Sequence, residues 1–168
     1  ALADQLIRFD FDARSVTIQD SRRPFTVDAN EIVVTARRNK GQLIITQANF
    51  EGQRTYAVID TGSELTIGNL AMLRSIQRRQ KNVALREVDL QSVTGQDFKA
   101  QVAVLAELRV GGLVIRNVAV AFTDAPPFEL FGLDKQPALL LGSDLLKSFR
   151  RLSLDFRHRK VRFSLRKQ

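Results

Sequence analysis

Tyr56-Ala57-Val58-Ile59-Asp60-Thr61-Gly62-Ser63-Glu64-Leu65-Thr66-Ile67-Gly68 is the stretch on which the reading of this chain turns. An apolar, β-branched run leads straight into an acid, and the chain then bends at a glycine. Such an arrangement holds a carboxylate at the end of a strand, where backbone N–H groups and hydroxyls can grip it. A bare Asp-Thr-Gly-Ser is also good turn chemistry, so the tetrapeptide alone decides little. Its companion lies downstream in Ala138-Leu139-Leu140-Leu141-Gly142-Ser143-Asp144-Leu145-Leu146, where Gly142 stands 82 residues after Asp60. An apolar strand, a glycine and a short helix are what a second strand needs to pass beside the acid-bearing loop and to end in a support for it.

Around these two motifs the apolar residues repeat mostly every second position. Ile32–Thr35, Gln42–Thr46, Thr55–Ile59, Val102–Leu105 and Val118–Phe122 read as strands. Glu51-Gly52, Thr94-Gly95-Gln96-Asp97, Gly111-Gly112 and Pro126-Pro127 read as the turns between them. The pattern predicts a mainly β, mainly antiparallel domain with two helices. One runs from Asn69 to about Gln80, with Asn69 as its cap and Leu70, Leu73 and Ile76 on one side; the other runs from Asp144 to about Phe149.

Taken together, the two motifs and their order resemble the retropepsin-like aspartic proteases over about residues 41–166. The resemblance is to the bacterial members carrying a single Asp-Thr-Gly motif more than to the viral ones, because this chain is longer and lacks their glycine-rich flap. It implies a closed, barrel-like acid protease lobe with one or two short helices, acting as an aspartic endopeptidase. On this resemblance Asp60 is the acid/base, Thr61 hydrogen-bonds across a two-fold axis to an opposite loop, and Gly62 offers its N–H to the carboxylate. Ser63 donates to the outer carboxylate oxygen and lowers the first apparent pKa, for which an acidic optimum is expected. A flap hairpin is expected at about Asp89 to Gln101, with Thr94, Gly95 and Gln96 at its turn over an extended polypeptide substrate.

Hydrolysis by carboxylates alone needs two of them sharing one proton, one to take a proton from water and one to give a proton to the carbonyl oxygen. This chain supplies Asp60. The other must come from a symmetry-related second copy or from another lobe. Asp10, Asp144 and Asp155 are not followed by Thr-Gly and are expected in salt bridges or helix caps. His158, in Arg157-His158-Arg159-Lys160, reads as a turn among cations, with no nucleophile pattern to make a triad.

An internal similarity points to where another lobe would be. At an offset of 145, Phe9–Ile18 lies over Leu154–Phe163, with Asp, Phe, Arg and Val identical in register. Residues 1–30 are then an N-terminal hairpin and linker, the end of a preceding homologous lobe, and residues 31–168 are the protease lobe. A chance likeness of two basic hairpins is the alternative.

Composition bounds the rest. The chain has 168 residues, enough for one domain with a real core. It has no cysteine and one histidine, which excludes disulfides and a Cys/His zinc site, and no metal, nucleotide or redox cofactor is implied. The formal net charge is +8, concentrated at residues 37–40, 74–81 and 157–167. With no Trp and one Tyr to stack on bases, these clusters read as solvated faces, and nucleic acid is disfavoured. No apolar run is long enough to span a bilayer, so the chain is expected to be soluble. It begins Ala1-Leu2-Ala3, which suits a processed or excised chain. A membrane tether outside it, and a periplasmic or membrane-associated setting rather than a cytoplasmic one, fit the bacterial resemblance. The other functional reading is a peptide-binding or assembly module that keeps the fold without catalysing.

Overall fold

The structure is a computed structural model that describes residues 2–92 and 94–166. Twelve strands form one strongly curved sheet: β1 (Gln5–Asp10), β2 (Ser15–Asp20), β3 (Glu31–Asn39), β4 (Gln42–Phe50), β5 (Gln53–Ile59), β6 (Ile67–Gly68), β7 (Arg86–Gln91), β8 (Asp97–Val110), β9 (Leu113–Phe122), β10 (Ala138–Leu141), β11 (Arg151–Asp155) and β12 (Lys160–Ser164). Their order across the sheet is β2-β1-β11-β12-β3-β4-β5-β10-β6-β9-β8-β7. The expected runs are all strands. Several extend further than the apolar clusters alone marked, because inward-facing residues recur among polar ones, as in the 14 residues of β8, where the phase of the alternation slips at Val102-Ala103 and at Glu107-Leu108.

A register shift between Ile45 and Ala48 bends β4. Its first half pairs with β3, and its second half reaches β8 through Ala48↔Val110 and Phe50↔Leu108. That second pairing closes β4, β5, β10, β6, β9 and β8 into a ring, the barrel-like part of the lobe. Most pairings are antiparallel, as the hairpin turns predict; β10–β5 and β6–β9 are parallel, because β10 arrives from far along the chain and inserts between β5 and β6.

β10 is the strand that explains the unbroken Ala-Leu-Leu-Leu. Leu139 and Leu141 enter the main core with Ile59, Met72, Val120 and Phe163. Ala138 and Leu140 enter a second cluster with Ile44, Val58, Phe128 and Leu133. A strand covered on both faces has no polar side to show.

The helices are α1 (Leu70–Arg79), α2 (Pro126–Leu130) and α3 (Ser143–Leu146). Asn69 caps α1 as expected, its side chain accepting from Met72 N–H at 2.9 Å, and Ala71, Met72, Leu73, Ser75 and Ile76 are buried, while Leu70 is only partly so. α3 is shorter than predicted: after Leu146 the chain turns so that Phe149 can pack on Phe163, 5.0 Å between ring centres. α2 corrects the reading of Pro126-Pro127 as a plain turn. These prolines sit in its first turn, where a missing N–H costs nothing and the fixed φ favours the helix, and α2 carries Phe128 into the second cluster.

Candidate active site

Asp60 follows directly on β5. Its backbone N–H donates to the Leu141 carbonyl at 3.0 Å, continuing the parallel β5–β10 ladder one step beyond the strand. Its carbonyl then accepts from Ser63 N–H at 3.2 Å, closing a turn, and Oδ1 accepts from Gly62 N–H at 3.2 Å. The side chain is partly exposed, and Thr61 and Gly62 are exposed beside it. Among the described residues the Thr61 hydroxyl has no hydrogen-bond partner, so it stands free at the rim of the loop.

The loop is held in place by the segment after β10. Gly142 presses so closely that a Cβ built on it would lie 2.3 Å from the Leu65 carbonyl oxygen and 3.0 Å from that of Ser63. With no side chain there, Ser143 N–H donates to Ser63 O at 2.7 Å and Asp144 N–H donates to Glu64 O at 3.1 Å. Thr66 completes the fastening: it is buried, its hydroxyl donates to Asp144 Oδ1 at 2.8 Å and accepts from Gly142 N–H at 3.1 Å, and its N–H donates to Asp144 Oδ2 at 3.2 Å. The downstream glycine motif therefore grips the Asp60 loop at several successive residues.

Ser63 corrects one expectation. Its hydroxyl donates to the Leu65 carbonyl at 2.8 Å, not to the Asp60 carboxylate. The chain must curl back toward β6 here, and the nearest acceptor is the carbonyl that this curl brings round. The Thr66–Asp144 link was not foreseen. Its members are 78 residues apart and are ordinary types in sequence; only the insertion of β10 brings them together.

β7 and β8 form the expected hairpin, and the flap span of about Asp89 to Gln101 covers its tip; Val93 lies outside the described residues. Gly95 takes φ +84, a left-handed conformation suited to glycine. The turn is fastened by Ser92 N–H to Gln96 O at 2.8 Å, Gly95 N–H to Ser92 O at 2.9 Å and Gln96 N–H to Ser92 Oγ at 3.1 Å. Thr94, Gly95 and Gln96 are exposed, and among the described residues the tip bonds only within itself.

Asp10 and Asp155, like Asp144, are engaged in other contacts. Asp10 and Asp28 share Arg151, each at 2.9 Å, and Ser164 donates to Asp28 at 2.6 Å. Asp155 is buried and accepts from the Ser21 hydroxyl at 2.7 Å and from His158 N–H at 3.0 Å. His158 meets Asp155 and Ser21 through the same ring nitrogen, Nδ1, at 2.9 and 3.1 Å, so it cannot relay a proton between them. Ser21, at the start of the linker segment, is thereby pinned to the β11–β12 turn.

The aspartyl protease family model matches residues 46–145, which takes in β5, the Asp60 loop, the β7–β8 hairpin and the β10–α3 motif. A crystal structure of a retropepsin-like aspartic protease from Rickettsia conorii aligns with a TM-score of 0.52 and 18% identity, covering 80% of this chain and 90% of that one. At that identity the likeness speaks for the fold alone. No curated protein matches the chain.

Proposed function

The chain belongs to the aspartyl protease family, in its retropepsin-like form, and from that premise we propose that it is one half of a peptide-cleaving site in which Asp60 shares a proton with the equivalent aspartate of a second lobe or second copy. One observation carries this reading: a partly exposed carboxylate fixed by its Gly62 N–H contact, on a loop that Gly142 can approach only because it is glycine.

Two facing carboxylates resist ionising together, so one stays protonated over a range of acidic pH and the pair titrates as a unit. The ionised member takes a proton from water as that water attacks the peptide carbonyl, and the protonated member gives a proton to the carbonyl oxygen. Thr61, exposed and without a hydrogen-bond partner among the described residues, bonds to the opposite loop in this reading. Gly62 N–H orients Asp60. The substrate backbone lies extended between the Asp60 floor and the β7–β8 flap, where Thr94, Gly95 and Gln96 meet it by strand addition.

Replacing Asp60 with Asn keeps the shape of the loop and removes its proton chemistry. In the assembled protein, D60N is expected to lower cleavage of a mixed peptide library by at least about a hundredfold at acidic pH, with a pepstatin-type inhibitor reproducing the loss in the unmodified protein. Cleavage surviving in D60N, or a pH–rate profile peaking above neutrality, defeats the assignment. The second reading, a non-catalytic peptide-binding module, is favoured by Asp10, Asp144 and Asp155 all being committed to other contacts, so that none of the three is free to pair with Asp60 within the isolated chain. Peptide binding that D60N leaves intact, with no cleavage by the assembled protein at any pH, identifies that case.

A further inference from the structure

The two terminal hairpins repeat each other in three dimensions. β1–β2 and β11–β12 are joined by turns of equal length, with left-handed Arg14 (φ 53) and Arg159 (φ 54) at matching places. Ala13 N–H donates to Asp10 Oδ1 at 2.9 Å, and His158 N–H donates to Asp155 Oδ1 at 3.0 Å, the same bond displaced by 145 residues. Cross-strand pairs match too: Ile7↔Ile18 and Phe9↔Val16 in one hairpin, Leu152↔Phe163 and Leu154↔Val161 in the other.

The hairpins also pack against each other symmetrically. β1 pairs antiparallel with β11 so that Arg8 faces Ser153, its own equivalent at the offset of 145. Phe11 N–H donates to Arg150 O at 3.0 Å, and its equivalent Phe156 donates to Gln5 O, the equivalent of Arg150, at 3.1 Å. A local two-fold axis therefore passes between Arg8 and Ser153.

The symmetry fails at the outer edges. β12 pairs onward with β3, and Val161 and Phe163 are 0% and 1% exposed in the core. β2 ends the sheet, and the equivalent Val16 and Ile18 are 58% and 62% exposed. An open groove of about 490 Å³ lies along this hairpin, lined by Phe9, Phe11 and Val16 among charged residues that include Arg14, Lys147 and Arg166. An edge strand with bare β-branched residues is half of an unfinished core.

We propose that β1–β2 is the closing hairpin of a second lobe of this same fold, lying upstream on the same polypeptide, and that this lobe supplies the carboxylate opposite Asp60. Val16 and Ile18 enter that lobe's core as Val161 and Phe163 enter this one, and its counterpart of β3 pairs with the free edge of β2. A second copy of the 168-residue chain cannot take this place about the axis, because β1 and β12 already occupy both edges of β11. The statement about the carboxylate rests on the protease reading; the statement about the lobe does not.

Three measurements test it. The polypeptide upstream of β1 should carry an apolar-apolar-Asp-Thr-Gly or Asp-Ser-Gly run about 145 residues before Asp60; its absence overturns the proposal. In the 168-residue chain, which has no cysteine of its own, R8C/S153C should form an intrachain disulfide and stay monomeric, whereas a covalent dimer on a non-reducing gel overturns it. V16D/I18D should shift the melting temperature of the 168-residue chain by less than about 2 °C but lower that of the upstream-extended polypeptide by about 5 °C or more, and a negligible shift in both overturns it. If these hold and the extended polypeptide cleaves nothing, the protease reading fails and the second lobe stands.

Discussion

Gly142 shows how one absent side chain can build a site. Its φ of −89 suits any residue, so the demand for glycine is one of space alone: the Leu65 carbonyl stands where a Cβ would go. Both of the groups that would collide are fixed, one in the loop and one by the β10–α3 junction, so neither can give cheaply. Gly142→Ala is expected to cost about 3 kcal/mol in a urea melt and to lower kcat more than KM, because it pushes the Asp60 loop off its support. A variant of unchanged stability and rate would show that the loop does not need this contact. Ser63 makes a milder case. Its hydroxyl closes the loop on Leu65 O, and Ser63→Ala should lower the stability of the lone chain by about 1 kcal/mol, read as a shift in the denaturant midpoint. No shift would mean that the hydroxyl spends its time elsewhere.

At the scale of elements, what was legible in sequence is what is local. Asp60 after an apolar run, Gly142 after another, and the Val102–Leu105 core of β8 are each visible within a few residues, and each locates an element by itself. What could not be read depends on pairs far apart. Thr66 and Asp144 look like any threonine and aspartate until β10 slides between β5 and β6, and Pro126-Pro127 serves equally as a turn or as the first turn of a helix until Phe128 is seen to need a place in the second cluster. Asn69 was half legible. Its capping of α1 follows from residue type, but its Nδ2 also donates to Leu133 O at 2.9 Å and to Gln136 O at 2.7 Å, and its Oδ1 accepts from Ala138 N–H at 3.2 Å. One buried amide thus ties the start of α1 to the entry of β10. Asn69→Ala should destabilise by about 2–4 kcal/mol, more than a cap alone, because it leaves buried carbonyls without donors as well. Thermal or urea unfolding measures it, and a loss below about 1 kcal/mol would reduce Asn69 to a simple cap.

For the whole molecule, the acids that bind the terminal hairpins to the lobe decide how the fold responds to low pH. The Ala13 N–H and the Arg151 guanidinium hold Asp10 below its ordinary value, and the Ser164 hydroxyl, working against partial burial and helped by Arg151, holds Asp28 below its own. Burial by itself would raise Asp155; the Ser21 hydroxyl and the N–H and ring of His158 outweigh it and leave that carboxyl lowered too. A carboxyl whose pKa is lower folded than unfolded stabilises the fold fully above the unfolded value, 3.8 for an aspartate, and loses that contribution as pH falls through the folded one. Stability should therefore be flat on this account from neutrality to about pH 4 and fall below it, and the contacts that fail are those joining β1, the linker segment and β11. Asp155→Asn should make the fall shallower, since one of the titrating groups at the joint is gone, while lowering stability at neutral pH by leaving Ser21 and His158 with a weaker acceptor. Denaturant midpoints measured from pH 7 to pH 2 on both proteins check this, and parallel curves would exclude Asp155 from the acid response. The hairpin joint is thus fastened by acids that stay ionised below the pH at which an isolated aspartate is neutralised.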